Sequence, residues 1–354
     1  MSGRVIIASG GTGGHMFPAI ALGEALGKRR WQVGYTVDQR GRRYLGHEDH
    51  LIVPSASPSG SLARRLKALI KLAYGVVVST VWLLRRRPSA VAAFGGYASV
   101  PTGIAATLLL VPLLLHEQNA VLGRAHRLFA RWARVLALTF ADTKHLPEAK
   151  VRVEITGNPV RSGFAPGDQA QASSDRRRLF VMGGSQGARV LSEAVPAAVA
   201  LLPADLRTGL QVVQQCRAED LEAVRQAYAE LGLEAEVATF FDDVPAQLAA
   251  ADLVISRAGA SSIAELLVTG SPSILIPFAA AADDHQTANA RVLAVAGAAL
   301  LIPQNEVDGP RLAAPLAELL GDDQHLQAMA IAARNLARPN AAEHLADLVE
   351  EVAR

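Results

Sequence analysis

The sequence predicts a doubly wound α/β protein made of two similar halves. Short, continuously apolar segments alternate along the 354 residues with longer segments rich in Ala, Leu, Arg and Glu. Strands that are apolar throughout, and that are separated by helices, indicate parallel sheets covered on both faces. Each half also opens with a strand that runs into a Gly-Gly-Thr or Gly-Gly-Ser turn, at Gly10 and again at Gly183. Two such Rossmann-like domains are expected to face each other across a cleft.

Ten strands are predicted in chain order, each a short apolar run bounded by Gly, Pro or polar residues. The runs are residues 5–8, 32–37, 90–94, 111–116, 135–138, 178–182, 211–214, 236–239, 253–256 and 273–277. The segments between them predict helices, for example over 19–29, 221–231 and 263–268. The uncharged stretch 89–115 is interrupted by three glycines and two prolines, so it predicts strand, turn, helix and strand rather than a membrane span.

The boundary between the halves is predicted in the polar stretch FAPGDQAQASSDRRR, residues 164–178. Pro, Gly and Ser residues within a polar run are typical of interdomain linkers. We place the N-terminal domain at residues 1–161 and the C-terminal domain at 162–337.

Charge is distributed unevenly between the halves. Residues 1–160 carry a formal charge of +13 and the remainder −11, although the whole chain is only +2. A basic half favours an anionic surface or substrate at that end. Cys216 is the only cysteine, so no intrachain disulfide is possible and a reducing compartment is expected.

The two glycine loops are typical of anion sites, because a strand followed by glycines and a helix presents backbone N–H groups to an anion. A plain tight turn is the alternative. Neither loop carries the lysine of a P-loop, and Met16 stands where a dinucleotide fingerprint needs its third glycine. Asp38, at the end of the second strand, is the one feature that favours a dinucleotide.

His15 ends the first glycine loop at the predicted start of a helix. A neutral imidazole there is suited to take a proton from an attacking hydroxyl near pH 7. The alternative is a solvated or capping histidine.

Four further stretches indicate ligand contacts, and each has a plainer interpretation. The HEQN stretch at 116–119 is either a ligand site or a polar strand end. The GNPVR stretch at 157–161 is either a ligand contact or a rigid turn. SRAGASSIAE at 256–265 is a phosphate and ribose site or a Ser262–Glu265 capping box, and DDHQTAN at 283–289 a sugar site or a polar loop. The Gly-x-Ser-x-Gly spacing at 183–187, with His285, leaves a hydrolase as a minor alternative. No metal site is expected, since the chain has no Asp-x-Asp motif.

Eight segments resemble one family in order: GGTGGHMFPAIAL, FGGYASVPTG, HEQNAVLGRAHR, GNPVR, GGSQGAR, FDDV, SRAGASSIAEL and DHQTANA, between residues 10 and 290. They are similar to the UDP-N-acetylglucosamine transferases of peptidoglycan synthesis, in glycosyltransferase family 28. The resemblance implies the GT-B fold, with UDP-GlcNAc held by the C-terminal domain and the lipid acceptor, lipid I, by the N-terminal domain. It also implies that a last helix, about 338–354, packs back on the N-terminal domain.

The resemblance implies inverting transfer of GlcNAc to the C4 hydroxyl of the lipid I muramyl sugar, without a cofactor. His15 would be the base and Glu117 the alternative base. The residues that would bind UDP-GlcNAc are Thr12, Gly13, Gly14, Asn119, Arg161, Ser185, Phe241, Ala260, Ser261, Ser262, Ile263, Ala264, Glu265 and Gln286. Within this set Glu265 would bind the ribose and Gln286 the sugar.

Two stretches depart from the family pattern. Gln214-Gln215-Cys216-Arg217 stands where a His-Gln-Ser/Thr-Gly stretch is usual, and residues 38–43 replace the usual Gly-Thr segment after the second strand. The first departure concerns a sugar-nucleotide contact and the second concerns the acceptor.

The segment from Leu62 to Arg87 is an apolar run flanked by seven basic residues. Such a segment is suited to lie on an anionic lipid surface without spanning it, and a buried helix with solvated arginines is the alternative. With the resemblance, it predicts a peripheral protein on the cytoplasmic face of the bacterial inner membrane, with other cell-wall synthesis proteins as partners and no nucleic acid. The alternatives for the function are a related glycolipid synthase, a UDP-GlcNAc epimerase, a nicotinamide-dependent oxidoreductase and a non-catalytic sugar-nucleotide sensor.

Overall fold

The computed structural model describes residues 3–56, 61–148, 151–165, 176–184 and 187–354. The chain forms two compact units. The first unit contains Met1–Ser162 together with Arg338–Arg354, and the second contains Gly163–Ala337.

Each unit is built on one parallel sheet. The strands of the first are β1 (Arg4–Ala8), β2 (Gln32–Val37), β3 (His50–Ile52), β4 (Ala90–Ala93), β5 (Leu113–Glu117), β6 (Val135–Leu138) and β7 (Arg152–Ile155). Those of the second are β8 (Arg177–Met182), β9 (Leu210–Gln215), β10 (Ala235–Ala238), β11 (Leu253–Ser256), β12 (Ser273–Leu275) and β13 (Ala299–Leu301). The spatial orders are β3-β2-β1-β4-β5-β6-β7 and β10-β9-β8-β11-β12-β13. When the strands are numbered from the first strand of each unit, both sheets begin in the order 3-2-1-4-5, which confirms the doubly wound class.

Helices connect these strands. In the first unit they are α1 (Gly13–Lys28), α2 (Leu62–Arg86), α3 (Ser99–Leu108) and α4 (Arg124–Phe129). In the second they are α5 (Arg189–Ala200), α6 (Ala204–Thr208), α7 (Leu221–Glu230), α8 (Val244–Ala250), α9 (Ala260–Thr269), α10 (His285–Val295), α11 (Gly309–Gly321) and α12 (Asp323–Leu336). The last helix, α13 (Ala341–Val352), belongs to the first unit.

Both faces of the first sheet are buried. Ile6 and Ile7 are adjacent on β1, so they point to opposite faces, and both have zero exposure. Ile7 lies in a core with residues of α1 and α13, and Ile6 lies in a core with residues of α2, α3 and α4. Burial on both sides is the reason why these strands are continuously apolar.

All ten predicted strands are present, with ends shifted by up to two residues. The strands that the sequence did not predict are β3, β7 and β13, each at the edge of its sheet. Edge strands are short and partly exposed, so they lack the apolar run that marks a central strand. Helix α1 begins at Gly13, earlier than predicted, and takes two of the loop glycines into its first turn.

The last helix is fastened to α1 by apolar and ionic contacts. Leu345 and Val349 of α13 are fully buried in the core that also contains Leu22 and Leu26 of α1. Arg29, just after α1, forms ion pairs of 2.6 Å with both Glu343 and Asp347. The apolar part carries most of the stability, because half-exposed ion pairs contribute little.

Truncating Leu345 to alanine should therefore destabilise the first unit by about 2–5 kcal/mol, since it opens a cavity against α1. The measurement is urea unfolding followed by tryptophan fluorescence. Trp31, Trp82 and Trp132 all lie in the first unit, so the signal reports that unit alone. The matched control is Leu128→Ala, at a leucine that is 52% exposed, where the loss should stay within about 0.5 kcal/mol. Equal losses in the two variants would contradict a core role for α13.

Candidate active site

The candidate residues of the first unit gather at the carboxyl ends of β1, β4 and β5, which are neighbours in the sheet. The loop that follows β1 leads through Thr12 into the first turn of α1, which contains His15. Gly95 and Gly96 follow β4, and Gln118 and Asn119 follow β5. Chain connections diverge on either side of β1 and β4, and this switch point is where doubly wound sheets bind ligands.

Glycines let the loops after β1 and β4 touch through their backbones. The Gly10 N–H donates to the carbonyl of Gly95 at 2.9 Å. A Cβ on Gly96, which has a φ of +73°, would lie 2.8 Å from the Gly10 Cα. The same Cβ would lie 3.3 Å from the His15 ring. Side chains at these positions would therefore displace either a backbone or the imidazole.

The Asp38 carboxylate is hydrogen-bonded within its own loop. It accepts hydrogen bonds from the backbone N–H groups of Arg40 and Gly41, and the Arg40 side chain pairs with it at 2.8 Å. A Cβ on Gly11 would lie 1.9 Å from Asp38 Oδ1. The carboxylate therefore packs against the glycine loop, which removes the one feature that favoured a dinucleotide.

Thr12 is the N-cap residue of α1, and Gly13 and Gly14 open the helix. The first N–H groups of a helix are not used by its internal hydrogen bonds. This end of α1 therefore presents amides and the positive end of the helix dipole to an anion.

Glu117 is buried at the end of β5, with 2% exposure. Its Oε1 accepts from the backbone N–H and the side-chain amide of Asn119, at 3.0 and 3.1 Å. Its Oε2 accepts from the Gly123 N–H at 2.8 Å and from His126 Nδ1 at 2.9 Å. Burial by itself would raise the pKa of Glu117, but the hydrogen bonds from His126, Gly123 and Asn119 lower it to about 2. The carboxylate is thus ionised and held by four donors, which is a structural arrangement rather than that of a base.

His15 is half-buried, and its Nδ1 lies 2.8 Å from Gln118 Oε1. Gln118 lies in the predicted HEQN stretch but was not singled out among its residues. The sequence also did not single out His126, which orients Glu117. The same holds for Phe17, whose ring lies 4.2 Å from the Arg161 guanidinium. Only the spatial neighbours of these residues reveal their roles, so no local sequence signal identifies them.

The second unit repeats the arrangement. Gly183 and Gly184 follow β8, and a Cβ on Gly183 would lie 2.4 Å from the Ala188 N. Gly183 therefore lies directly against the residues that precede α5. Ser185 lies outside the described residues.

The segment Ala260–Thr269 forms α9, directly after the loop that follows β11. Its N-cap is Gly259, so Ser262 lies inside the first turn and the capping-box interpretation is wrong. Ala260, Ile263, Ala264 and Glu265 are buried, whereas Ser261 and Ser262 are half-buried. The first-turn amides of α9 have the same anion-binding geometry as those of α1.

Gln286 lies in the first turn of α10, and its Oε1 accepts from the Phe278 N–H at 2.9 Å. Arg257 holds the same loop, because its guanidinium donates to the carbonyls of Ile276 and Pro277 at 3.0 and 3.2 Å. Burial lowers the pKa of Arg257 to about 10, so it stays charged at neutral pH.

Two neighbouring contacts complete this edge. Asn289 Nδ2 donates to the Ala258 carbonyl at 3.0 Å, which ties α10 to the loop before α9. Phe241, after β10, packs edge-on against Phe180 with ring centroids 5.9 Å apart. The structure thus brings the loops after β8, β11 and β12 to the carboxyl edge of the second sheet.

Two family models match this chain. Residues 5–137 match the N-terminal domain of glycosyltransferase family 28, and residues 178–348 match its C-terminal domain. A Paramagnetospirillum magneticum protein is 46% identical over 354 residues, covering 98% of this chain and 95% of its own length. One from Methylobacterium sp. (strain 4-46) is 47% identical over 359 residues, covering 99% and 96%. Both are named UDP-N-acetylglucosamine--N-acetylmuramyl-(pentapeptide) pyrophosphoryl-undecaprenol N-acetylglucosamine transferase.

Solved structures agree with these matches. The crystal structure of Acinetobacter baumannii MurG superposes with a TM-score of 0.82 at 32% identity, covering 99% of both chains. The glycotransferase of kitacinnamycin superposes with a TM-score of 0.71 at 19% identity, covering 99% of both chains, which shows the fold alone. The two α/β domains are those of the GT-B class.

The Glu117 cluster makes a prediction about acid stability. A folded-state pKa of about 2, below the ordinary 4.5, means that the carboxylate stabilises the fold above about pH 4.5 and that this contribution is lost as the pH falls towards 2. Glu117→Gln should therefore be less stable than wild type at pH 7, and the difference should shrink between pH 4.5 and 2. Urea unfolding by tryptophan fluorescence across this range is the measurement. The control is Glu148→Gln, at an exposed carboxylate, which should show no such narrowing. If the difference in stability between Glu117→Gln and wild type stays constant with pH, the ionised state of Glu117 is refuted.

Proposed function

Because the chain belongs to glycosyltransferase family 28, we propose that it carries out the transfer for which its curated relatives are named. It moves GlcNAc from UDP-GlcNAc to lipid I, giving lipid II and UDP in peptidoglycan synthesis. The observation that carries this proposal is identity of 44–47% with such transferases over almost the whole chain. The arrangement of residues at the two sheet edges supports it.

The donor is assigned to the second unit. The first-turn amides of α9, from Ala260 to Ile263, face the diphosphate, and Glu265 binds the ribose hydroxyls. Gln286 binds the sugar, and Phe241 contacts the uracil through its backbone. The buried position of Glu265 and the anchored amide of Gln286 support these roles, because a hydroxyl-binding group must be held in one orientation.

The acceptor and the base are assigned to the first unit. The C4 hydroxyl of the muramyl sugar attacks the anomeric carbon, its proton passes to the His15 imidazole, and the bond to UDP breaks. This single displacement inverts the anomeric centre and forms a β-1,4 linkage. The residues of the first unit that are assigned to UDP-GlcNAc are Thr12, Gly13, Gly14, Asn119 and Arg161. Glu117 is a positioning residue rather than a base, since its carboxylate already accepts four hydrogen bonds.

Negative charge develops on the diphosphate as the bond to UDP breaks. Helix N-termini and backbone amides aimed at that position stabilise such charge without reorganising. The start of α9 has this geometry, which supports a role in stabilising the leaving group.

Helix α2 is assigned to the lipid surface. Of the described residues, those of α2 form the one helix long and apolar enough to cross a bilayer. One side of α2 packs on the first unit, where a Cβ on Gly75 would lie 2.4 Å from the Pro54 carbonyl oxygen. The other side exposes Leu62, Leu66, Leu69, Ile70, Tyr74, Val77, Val81 and Leu84. A helix with one packed and one exposed apolar side is suited to lie on a membrane rather than to cross it.

Basic residues at both ends of α2 strengthen this assignment. Arg64, Lys67 and Lys71 precede the central apolar stretch, and Arg85 and Arg87 follow it, all of them exposed. Cationic side chains beside an apolar stripe attract anionic lipid. We assign the protein to the cytoplasmic face of the bacterial inner membrane, where its lipid acceptor resides.

Replacing His15 with alanine should reduce transfer by about 10²–10⁴-fold, the usual contribution of a positioned general base. The measurement is transfer of labelled GlcNAc from UDP-GlcNAc to a short-chain lipid I analogue, beside UDP binding by calorimetry. UDP affinity should be unchanged, and His344→Ala, at an exposed histidine of α13, should be as active as wild type. If wild type binds UDP but transfers no sugar, the function is wrong, and release of a free epimerised sugar would identify an epimerase. Full activity in His15→Ala would keep the function and move the base elsewhere.

Placing a charge in the exposed stripe of α2 should weaken lipid binding. Val77→Asp should reduce the affinity for phosphatidylglycerol vesicles about tenfold or more, because burying a valine contributes about 1.5–3 kcal/mol and a carboxylate is repelled by anionic lipid. Vesicle co-sedimentation measures this. Val295→Asp makes the same change at an exposed valine of the second unit and should bind like wild type. Equal loss in both variants would refute a specific role for α2.

A further inference from the structure

A chain of hydrogen bonds leads from the backbone at Gly157 to the His15 imidazole. His116 Nε2 lies 2.9 Å from the Gly157 carbonyl oxygen. The Gln118 amide nitrogen lies 2.9 Å from His116 Nδ1 and 2.7 Å from the His116 carbonyl oxygen. Gln118 Oε1 lies 2.8 Å from His15 Nδ1. His116 and Gln118 have exposures of 0% and 1%, so water does not compete for these bonds.

The direction of every bond in this chain is determined by the two carbonyl groups. A carbonyl oxygen only accepts, so the Gln118 group beside the His116 carbonyl must be the NH₂ group. The amide oxygen then faces His15. Because that oxygen also only accepts, His15 Nδ1 must carry the hydrogen.

The state of His116 agrees with this direction. Its burial lowers the pKa to about 4, so the ring is neutral near pH 7. The Gly157 carbonyl requires the hydrogen on Nε2, which leaves a lone pair on Nδ1 to accept from the Gln118 amide. Gly157 is itself fixed in place, because a Cβ there would lie 2.4 Å from the Arg338 Cβ.

The glycine loops determine where the remaining nitrogen of His15 lies. A Cβ on Gly10 would lie 3.1 Å from His15 Cδ2, and one on Gly95 would lie 3.5 Å from His15 Cε1. Nε2 is the ring atom between these two carbons. The Nε2 edge of the ring therefore lies along the glycines of the switch point, beside the His126 imidazole, which a Cβ on Gly95 would approach to 3.2 Å.

We propose that Gln118 is a positioning residue that holds His15 as the Nδ1–H tautomer, so that Nε2 is the atom that takes the proton from the attacking hydroxyl. This inference rests on the proposed function. In the reaction, the O–H bond of the acceptor breaks as the new C–O bond forms, and its proton joins Nε2 while the electron pair of the broken glycosidic bond leaves with UDP. The imidazolium keeps its Nδ1–H bond to Gln118.

The amide of Gln118 stands where a Ser-His-Asp triad has a carboxylate. A carboxylate orients the histidine and also stabilises its positive charge, whereas a neutral amide orients the ring only. The neighbouring carboxylate, Glu117, instead bonds His126. Two adjacent residues at the end of β5 thus bind two different histidines, Glu117 through its carboxylate and Gln118 through its amide.

The direct test is ¹⁵N NMR of the histidine side chains in the full chain, since ring nitrogen shifts distinguish the two tautomers. The chain has nine histidines, and the His15 signal is identified by its absence in His15→Ala. Wild type should show His15 with Nδ1 protonated. Gln118→Met has similar volume but no acceptor oxygen, and it should lose that preference, whereas Gln118→Glu keeps an acceptor and should retain it. A wild-type His15 protonated on Nε2, or an unchanged tautomer in Gln118→Met, would overturn the proposal.

Kinetics separate positioning from a general loss of structure. Gln118→Met should lower kcat about 10- to 100-fold, as expected when a histidine loses the partner that orients it, with the KM for UDP-GlcNAc unchanged. The matched control is Thr102→Val, which removes a buried hydroxyl bonded to Thr36 at 2.9 Å in the same unit and should lower stability without altering kcat. An equal fall in kcat in both variants would indicate a structural role and refute the proposal. Wild type that transfers no sugar would refute the proposed function alone, because the NMR result does not depend on activity.

Discussion

The backbone contact between the loops after β1 and β4 is the constraint on which the candidate site depends. Gly10 and Gly96 approach so closely that a single Cβ would lie 2.8 Å from the opposite Cα. This approach aligns the start of α1, the His15 ring and the end of β5 at one edge of a parallel sheet. The closest contact between the two loops is made by backbone atoms, so it does not depend on side-chain rotamers and is preorganised before any ligand binds.

His116, Glu117 and Gln118, which are buried at that edge, are each held in one orientation by hydrogen bonds. Glu117 is ionised inside the protein because four donors compensate for its loss of water. His116, its neighbour in the sequence, is neutral because burial lowers its pKa to about 4. Burial thus decides the protonation of His116, whereas the hydrogen-bond donors around Glu117 outweigh burial. A network of this kind fixes a unique geometry at the cost of tolerating few substitutions.

Helix α2 shows the opposite solution to the problem of burial. Its packed side uses small residues, Ala68, Gly75 and Ser79, that allow close approach to the first unit. Its outer side leaves eight large apolar residues exposed. Exposure of that extent is costly in water and marks a contact surface. The same unit carries the excess of basic residues, so apolar and electrostatic attraction to an anionic surface act together.

The amino-acid sequence by itself determined the doubly wound class and the central strands, because residues buried on both faces must be apolar throughout. It also located the loops that hold the candidate residues, since Gly10, Gly183 and His15 stand out locally, and eight family segments in order indicated the family. The sequence did not predict the edge strands β3, β7 and β13, because a short strand with one open side does not need a continuous apolar run. Only the tertiary structure decided that Glu117 is locked by His126, that Asp38 is bound by its own loop and that Gln118 orients His15. Each of these facts depends on hydrogen bonds whose direction and competition with water arise only after the chain has folded.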